Sequence, residues 1–257
     1  MQLDILYRDD YLVVVNKPAG LLVHRSAIDK QATTYALQLL RDQIGQRVYP
    51  AHRLDKPTSG ALLFALDKVT LNRLSKHWCE VEKYYLAITR GIVNDCFIDH
   101  DIVSKPDRGD RFQTAKKQSA QTTVNCLVTT TLPVAFSHNP EQYPTTSFSI
   151  VEAIPKTGRK HQIRKHLKHI HHPIVGDTRY GRGEINRYFR KTHGIRRLML
   201  HCWALSFRHP FSKQKLAIHA PLDSDWQSML TLFPETTDFS INEVSAGQPT
   251  QAQIRKL

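Results

Sequence analysis

Six consecutive apolar residues, Ala61-Leu62-Leu63-Phe64-Ala65-Leu66, stand between Gly60 and Asp67. A run this short and this uniform reads as a strand buried on both faces, which must lie inside a sheet covered by the rest of the chain. Tyr11–Val15 is a second apolar, β-branched run, ended by the turn Asn16-Lys17-Pro18-Ala19-Gly20. Tyr84–Thr89, residues 122–128 and 146–154, and Leu198–Phe207 are also strand-like.

Helical spacing recurs at irregular intervals between these runs. Leu37, Leu40 and Ile44 predict a helix from Thr33 that Gly45 stops. Asp67 is placed to cap a helix carrying Leu71, Leu74 and Trp78. Lys160–Ile170 puts Ile163, Leu167 and Ile170 on one side and basic residues on the other, and Asp223–Phe233 predicts a last helix stopped by Pro234. This order of elements implies an α+β fold with a mainly antiparallel sheet. Residues 100–120 read as a loop or basic arm, and the stretch holding Pro133, Pro140 and Pro144 as a long connection. With no internal repeat or linker, residues 1–235 read as one domain and 236–257 as a polar, frayed tail.

Charge narrows the partner. Thirty-six Lys and Arg against 23 Asp and Glu leave +13, before 14 His. Such a surface suits a polyanion, either nucleic acid or an acidic membrane. No apolar run approaches the ~18 residues of a membrane span, and the acidic start MQLDILYRDD lacks the pattern of a secretory leader. Cys79, Cys96, Cys126 and Cys202 are scattered, without metal-site spacing, as in reduced cytosolic proteins. The expectation is a cytoplasmic protein that binds nucleic acid.

The polar segment His52–Gly60 leads into the apolar strand, a common place for chemistry. Asp55-Lys56-Pro57-Thr58-Ser59-Gly60 alone is ordinary turn chemistry, which does not call for the preceding His-Arg-Leu. The whole segment resembles the HRLDxxTSG signature of the RluA-type pseudouridine synthases. Further blocks follow in that family's order. Asn16–Gly20 resembles its NKPxG turn and Lys83–Ala87 its KxYxA strand. Thr157–Arg164 resembles TGRxHQIR, Pro173–Gly181 is similar to PIxGDxxYG, and Leu200-His201 with His209-Pro210 to its last strand.

The resemblance implies a pseudouridine synthase catalytic fold with flanking helices and a central cleft. It implies Asp55 as nucleophile, with attack on the sugar and proton abstraction to a glycal both open, Arg164 as its ion-pair partner, and Tyr85 as the residue stacking on the target base and a candidate general acid or base at C5. Tyr84, one residue away, should face the other side of the strand. Arg53 is implied to fill the space a flipped nucleotide leaves, since a paired base must leave its stack to react. His52, Thr58, Lys83, Arg159, Lys160 and Ile163 lie in the same motifs and are candidates for contacting base and RNA. Lys105, Arg108, Arg111, Lys116 and Lys117 are candidates for phosphate contacts.

Lys160 departs from the Thr usual in the family's GRTHQIR. With the Tyr143–Thr146 loop and no S4-like RNA-binding domain expected, it resembles the branch acting on tRNA at a T-stem uridine, position 65. A ribosomal RNA substrate, and a non-catalytic role in RNA binding or ribosome assembly, stay open. A glycoside or nucleoside hydrolase would need paired carboxylates, and segments 52–60 and 157–166 offer Asp55 alone. His161, His166, His169, His171 and His172 lack metal-site spacing and read as RNA-facing basic surface. No metal, cofactor or obligatory protein partner is expected, and the chain is expected to be a monomer.

Overall fold

The apolar runs become strands where the sequence places them. The computed structural model describes residues 1–25, 33–104, 116–136 and 139–233. β1 (Asp4–Arg8) and β2 (Leu12–Lys17) form an antiparallel pair joined at Asp9, whose side chain accepts from the N–H groups of Tyr11 and Leu12. Helix α1 (Ala36–Ile44) ends at Gly45, which takes the left-handed conformation. β3 (Tyr49–Pro50) precedes β4 (Ser59–Ala65), which is buried at every position. Asp67 caps α2 (Lys68–Lys76) by accepting from the Thr70 N–H at 2.7 Å.

The chain continues through β5 (Glu82–Arg90), β6 (Cys96–Asp99), β7 (Ile102–Ser104) and β8 (Lys116–Gln118). The long strands β9 (Gln121–Leu132) and β10 (Thr146–Pro155) follow. Helices α3 (Gln162–His169) and α4 (Gly183–His193) precede β11 (Leu200–Arg208), β12 (Lys215–His219) and α5 (Ser224–Leu230).

Ten strands make one sheet in the order β1-β2-β4-β11-β5-β10-β9-β6, with β3 paired to β4 and β12 to β11. Its pairings among the described residues are antiparallel except β4 with β11. The parallel pairing brings Gly60 against Cys202, and Gly60 has φ +111°. A Cβ there would sit 2.1 Å from the Cys202 carbonyl oxygen, so the position admits no side chain. Trp203, Trp226, Phe64, Phe148 and Phe189 are fully buried among the aliphatic strand residues.

The structure departs from the sequence reading in three places. Residues 102–104 and 116–118 pair as a separate two-stranded sheet; strands of three residues are too short to show a period. Lys116 and Lys117 are exposed there, Lys117 3.2 Å from Asp101, while Lys105, Arg108, Arg111 and the tail beyond 233 lie outside the described residues. Helix α4 was not anticipated: its buried stripe is only Ile185 and Phe189. Finally, α3 buries Gln162, Arg164 and His166 as well as Ile163 and Leu167, so polar residues share its inner face. Among the described residues no helix is long and apolar enough to cross a membrane.

Gly60→Ala is expected to destabilise the fold by about 3 kcal/mol or more in urea unfolding, because backbone would have to move. Gly183→Ala meets open space at the start of α4 and should stay within about 1 kcal/mol of the parent, on the stabilising side.

Candidate active site

β4 and β11 begin at the same edge of the sheet, with Ser59 opposite His201. Tyr85 of β5 lies opposite both Cys202 of β11 and Ala153 of β10. The loop entering β4 and the chain leaving β10 therefore flank the same level of the sheet, although the two strands run in the same direction. Between them is a cleft of about 360 Å³, lined by Ala51–Asp55, Thr58, Lys83, Tyr85, the 157–164 segment and Leu200.

Asp55 is held from both sides. Its own carbonyl accepts from the Thr58 N–H at 3.0 Å, closing a turn. The next carbonyl, of Lys56, accepts from Gly20 N–H at 2.8 Å and from Lys17 Nζ at 3.3 Å. Lys17 is buried, and its Nζ also donates to the carbonyls of Pro18 and Leu21. Burial, with Arg197 nearby, lowers this ammonium to about 7. The Asn16–Gly20 turn is thus a strut under the Asp55 loop.

On the other side, Arg164 Nη1 donates to Asp55 Oδ2 at 3.1 Å. Its Nε and Nη2 donate to the two oxygens of Asp177, at 2.7 and 2.9 Å. Arg164 is 6% exposed and Asp177 1%. Asp177 Oδ1 also accepts from the N–H groups of Arg179 and Tyr180. Burial opposes the charge on Asp177, but Arg164 and the two amides outweigh it and hold the carboxyl below its usual range. One guanidinium thus bridges a buried carboxylate and the one at the cleft.

The sequence and the fold are similar to those of known proteins. A family model described as RNA pseudouridylate synthase matches residues 11–169. The chain belongs to that family. It is 46% identical over 246 residues to tRNA pseudouridine synthase C of Vibrio cholerae, covering 93% of this chain and 99% of that one. With the protein of the same name from Haemophilus ducreyi the identity is 48% over 245 residues, covering 93% and 99%. The structure of human RNA pseudouridylate synthase domain containing 1 superposes with a TM-score of 0.67 at 26% identity, covering 97% of this chain and 96% of that one.

In this member of the pseudouridylate synthase family, the residues singled out from the motifs gather in the cleft. Tyr85 lines it, while Tyr84 packs edge-on against Trp203. Burial, with Cys202 and Asp55 beside it, pushes the Tyr85 hydroxyl well above its ordinary value, so the ring stays neutral. Thr58 and Ile163 are buried in the wall, and Arg53, exposed, stands at the rim. Lys83 Nζ donates to the Val81 carbonyl at 2.8 Å and lies over the Trp78 ring. Arg159 donates through Nε to the Ser119 carbonyl, and Lys160 completes the lining. His52 also faces the cleft, but its Nε2 accepts from the Leu63 N–H at 3.1 Å.

Two features escaped the sequence reading. The second carboxylate, Asp177, lies in the Pro173–Gly181 block, outside the two segments searched for it; it is committed to Arg164 and does not line the cleft. His166 is fully buried against Thr122 and the His100 carbonyl and is not RNA-facing surface. His169 stacks on His100 at 3.6 Å. Among the described residues no three His, Cys, Asp or Glu are grouped to hold a metal.

Beneath the cleft, Arg197 pairs with Asp223 and donates to Ser59 Oγ at 2.6 Å. His201 Nε2 donates to the Ala220 carbonyl, so its Nδ1 accepts the Ser59 hydroxyl at 2.7 Å. Burial pushes His201 down to about 4 and His52 to about 3. Unfolded, both would protonate near 6.5. Their contribution to stability is complete above pH 6.5 and lost as pH falls towards 4 and below. Urea midpoints should therefore decline from pH 6.5 downwards, with a shallower decline in His201→Gln. At neutral pH, Asp177→Asn should cost about 3 kcal/mol in the same assay, by unpairing a buried guanidinium.

Proposed function

We propose that this protein converts a uridine of tRNA to pseudouridine, at position 65 in the T stem, with Asp55 as nucleophile. The observation that carries the mechanism is the Arg164 Nη1 contact to Asp55 Oδ2 in the wall of a cleft of about 360 Å³, roomy enough for a nucleobase. The names of the bacterial relatives and the resemblance around Lys160 support the tRNA substrate.

The reaction breaks the bond from C1′ to N1, turns the uracil and joins C1′ to C5; the C5 hydrogen leaves as a proton and N1 takes one up. It is redox-neutral, so it needs an activated carboxylate and a pocket that retains the detached base. Asp55 acts at the ribose, and Arg164 fixes one of its oxygens. Tyr85, kept neutral, is suited to stacking on the base rather than to accepting a proton as a phenolate. Arg53 at the rim takes the place of the flipped nucleotide. The hydrolase reading loses ground because Asp177 is already bound to Arg164 and two amides. The basic surface supplies phosphate contacts, and affinity for RNA should fall steeply with salt.

Tritium release from unmodified tRNA transcripts labelled at uridine C5 measures the chemistry directly, with large-subunit ribosomal RNA in parallel. Release is expected from tRNA, mapping to one T-stem uridine, and should be insensitive to EDTA. Release from ribosomal RNA alone would move the substrate and keep the active site. Asp55→Asn should abolish release while retaining tRNA binding. Arg164→Ala should lower turnover more than affinity, by about 100-fold as misplacement of a reacting group does. Full activity of Asp55→Asn would remove it as nucleophile.

A further inference from the structure

His161 has a backbone conformation that few residues other than glycine adopt, histidine being one of those that do. It stands immediately before α3 at φ 57°, ψ 30°, in the left-handed region that a β-carbon disfavours. Its side chain makes no capping hydrogen bond to the helix. Gln162 instead ties down the preceding turn, accepting from the Arg159 N–H at 2.9 Å and the Thr157 hydroxyl at 2.7 Å. Glycine or asparagine would serve this local geometry better.

What the histidine gains lies in the cleft. Its Nδ1 is 2.9 Å from the Tyr180 hydroxyl, and its Nε2 is 3.8 Å from Asp55 Oδ2. Tyr180 is itself fixed: its N–H donates to Asp177 Oδ1, and the Arg164 guanidinium lies 5.1 Å above its ring. Burial outweighs the pull of Asp55, with Arg164, Arg179 and Lys160 adding to it, and pushes the imidazole down to about 4. The ring is therefore neutral and carries one proton. The contact with Tyr180 fits either tautomer; the one in which the Tyr180 hydroxyl donates to Nδ1 puts the ring proton on Nε2, facing the Asp55 carboxylate, which favours it.

We propose that His161 is a positioning residue for Asp55: its Nε2–H, held by Tyr180, closes on Oδ2 beside Arg164 Nη1, leaving Oδ1 as the oxygen presented to the ribose. Both donors approach the same carboxylate oxygen, Arg164 at 3.1 Å and His161 at 3.8 Å. The longer contact is outside hydrogen-bond range in the free protein and shortens when RNA fills the cleft, as such contacts commonly do. Asp55, Arg164, Asp177, Tyr180 and His161 thus form a closed ring of contacts in which each end of the chain returns to Oδ2. The inference rests on Asp55 as nucleophile.

The test is steady-state tritium release with labelled tRNA transcripts, beside thermal unfolding. His161→Gly relieves the backbone and removes the imidazole. It should melt at or above the parental temperature, keep the parental KM, and lose about 10- to 100-fold in kcat, the scale for a misplaced reacting group. Tyr180→Phe leaves its backbone contact to Asp177 and removes only the hydroxyl; it should lower kcat in the same sense without raising KM. The double variant should be no slower than His161→Gly alone, because the hydroxyl acts through the imidazole. Parental kcat in His161→Gly, or a rise in KM with kcat unchanged, overturns the proposal. If His161→Gly unfolds, parental kcat in Tyr180→Phe overturns it. Asp55→Asn assayed in parallel separates the two readings: activity there removes the nucleophile, whereas an inactive Asp55→Asn beside a fully active His161→Gly removes the positioning role alone.

Discussion

The geometry of the cleft depends on one buried cation. Arg164 donates to Asp55 at the cleft and to Asp177 behind it. A guanidinium taken out of water is costly unless its donors are met, and Asp177 meets two of them in a bidentate pair. The third is then aimed by the rigid plane of the group rather than by a flexible side chain. Asp177 is in turn held by the amides of Arg179 and Tyr180. The carboxylate facing the cleft is thus oriented from a turn that does not itself line the cleft.

A second layer of support lies under the Asp55 loop. Lys17 collects three carbonyls, one of them in that loop, and Arg197, Ser59 and His201 link Asp223 to the start of β4. These groups are largely buried and polar, and each has its partners on a different element. Such networks are expensive when incomplete and rigid when satisfied.

Much of this was legible in the sequence where a physical period or punctuation existed. The uniform run Ala61–Leu66 marked the central strand, Gly45 the end of α1, and Asp67 the cap of α2. The alternation rule separated Tyr84 from Tyr85 correctly. Arg164 was legible as a partner of Asp55 from the resemblance; its second partner was not. Asp177 looks like any turn aspartate, and only the fold brings it to α3. The polar inner face of α3 was hidden for a similar reason: Gln162 and His166 are buried because Thr122 and the His100 carbonyl satisfy them. Hydropathy has no way to register a partner 40 or more residues distant.

That separation has a kinetic meaning. The Arg164–Asp55 contact spans 109 positions, Ser59–His201 spans 142, and Asn16 reaches Pro221 across 205. Closing loops of this length precedes any gain from the contacts they make, so sheets of this kind form late and slowly. Since no short stretch contains both the carboxylate and the cation that aims it, a collapsed chain with its helices and hairpins already formed still lacks a reactive centre. Under the proposed function, turnover arrives only when the loop before β4 meets α3, which makes activity a reporter of the final long-range closure rather than of secondary structure.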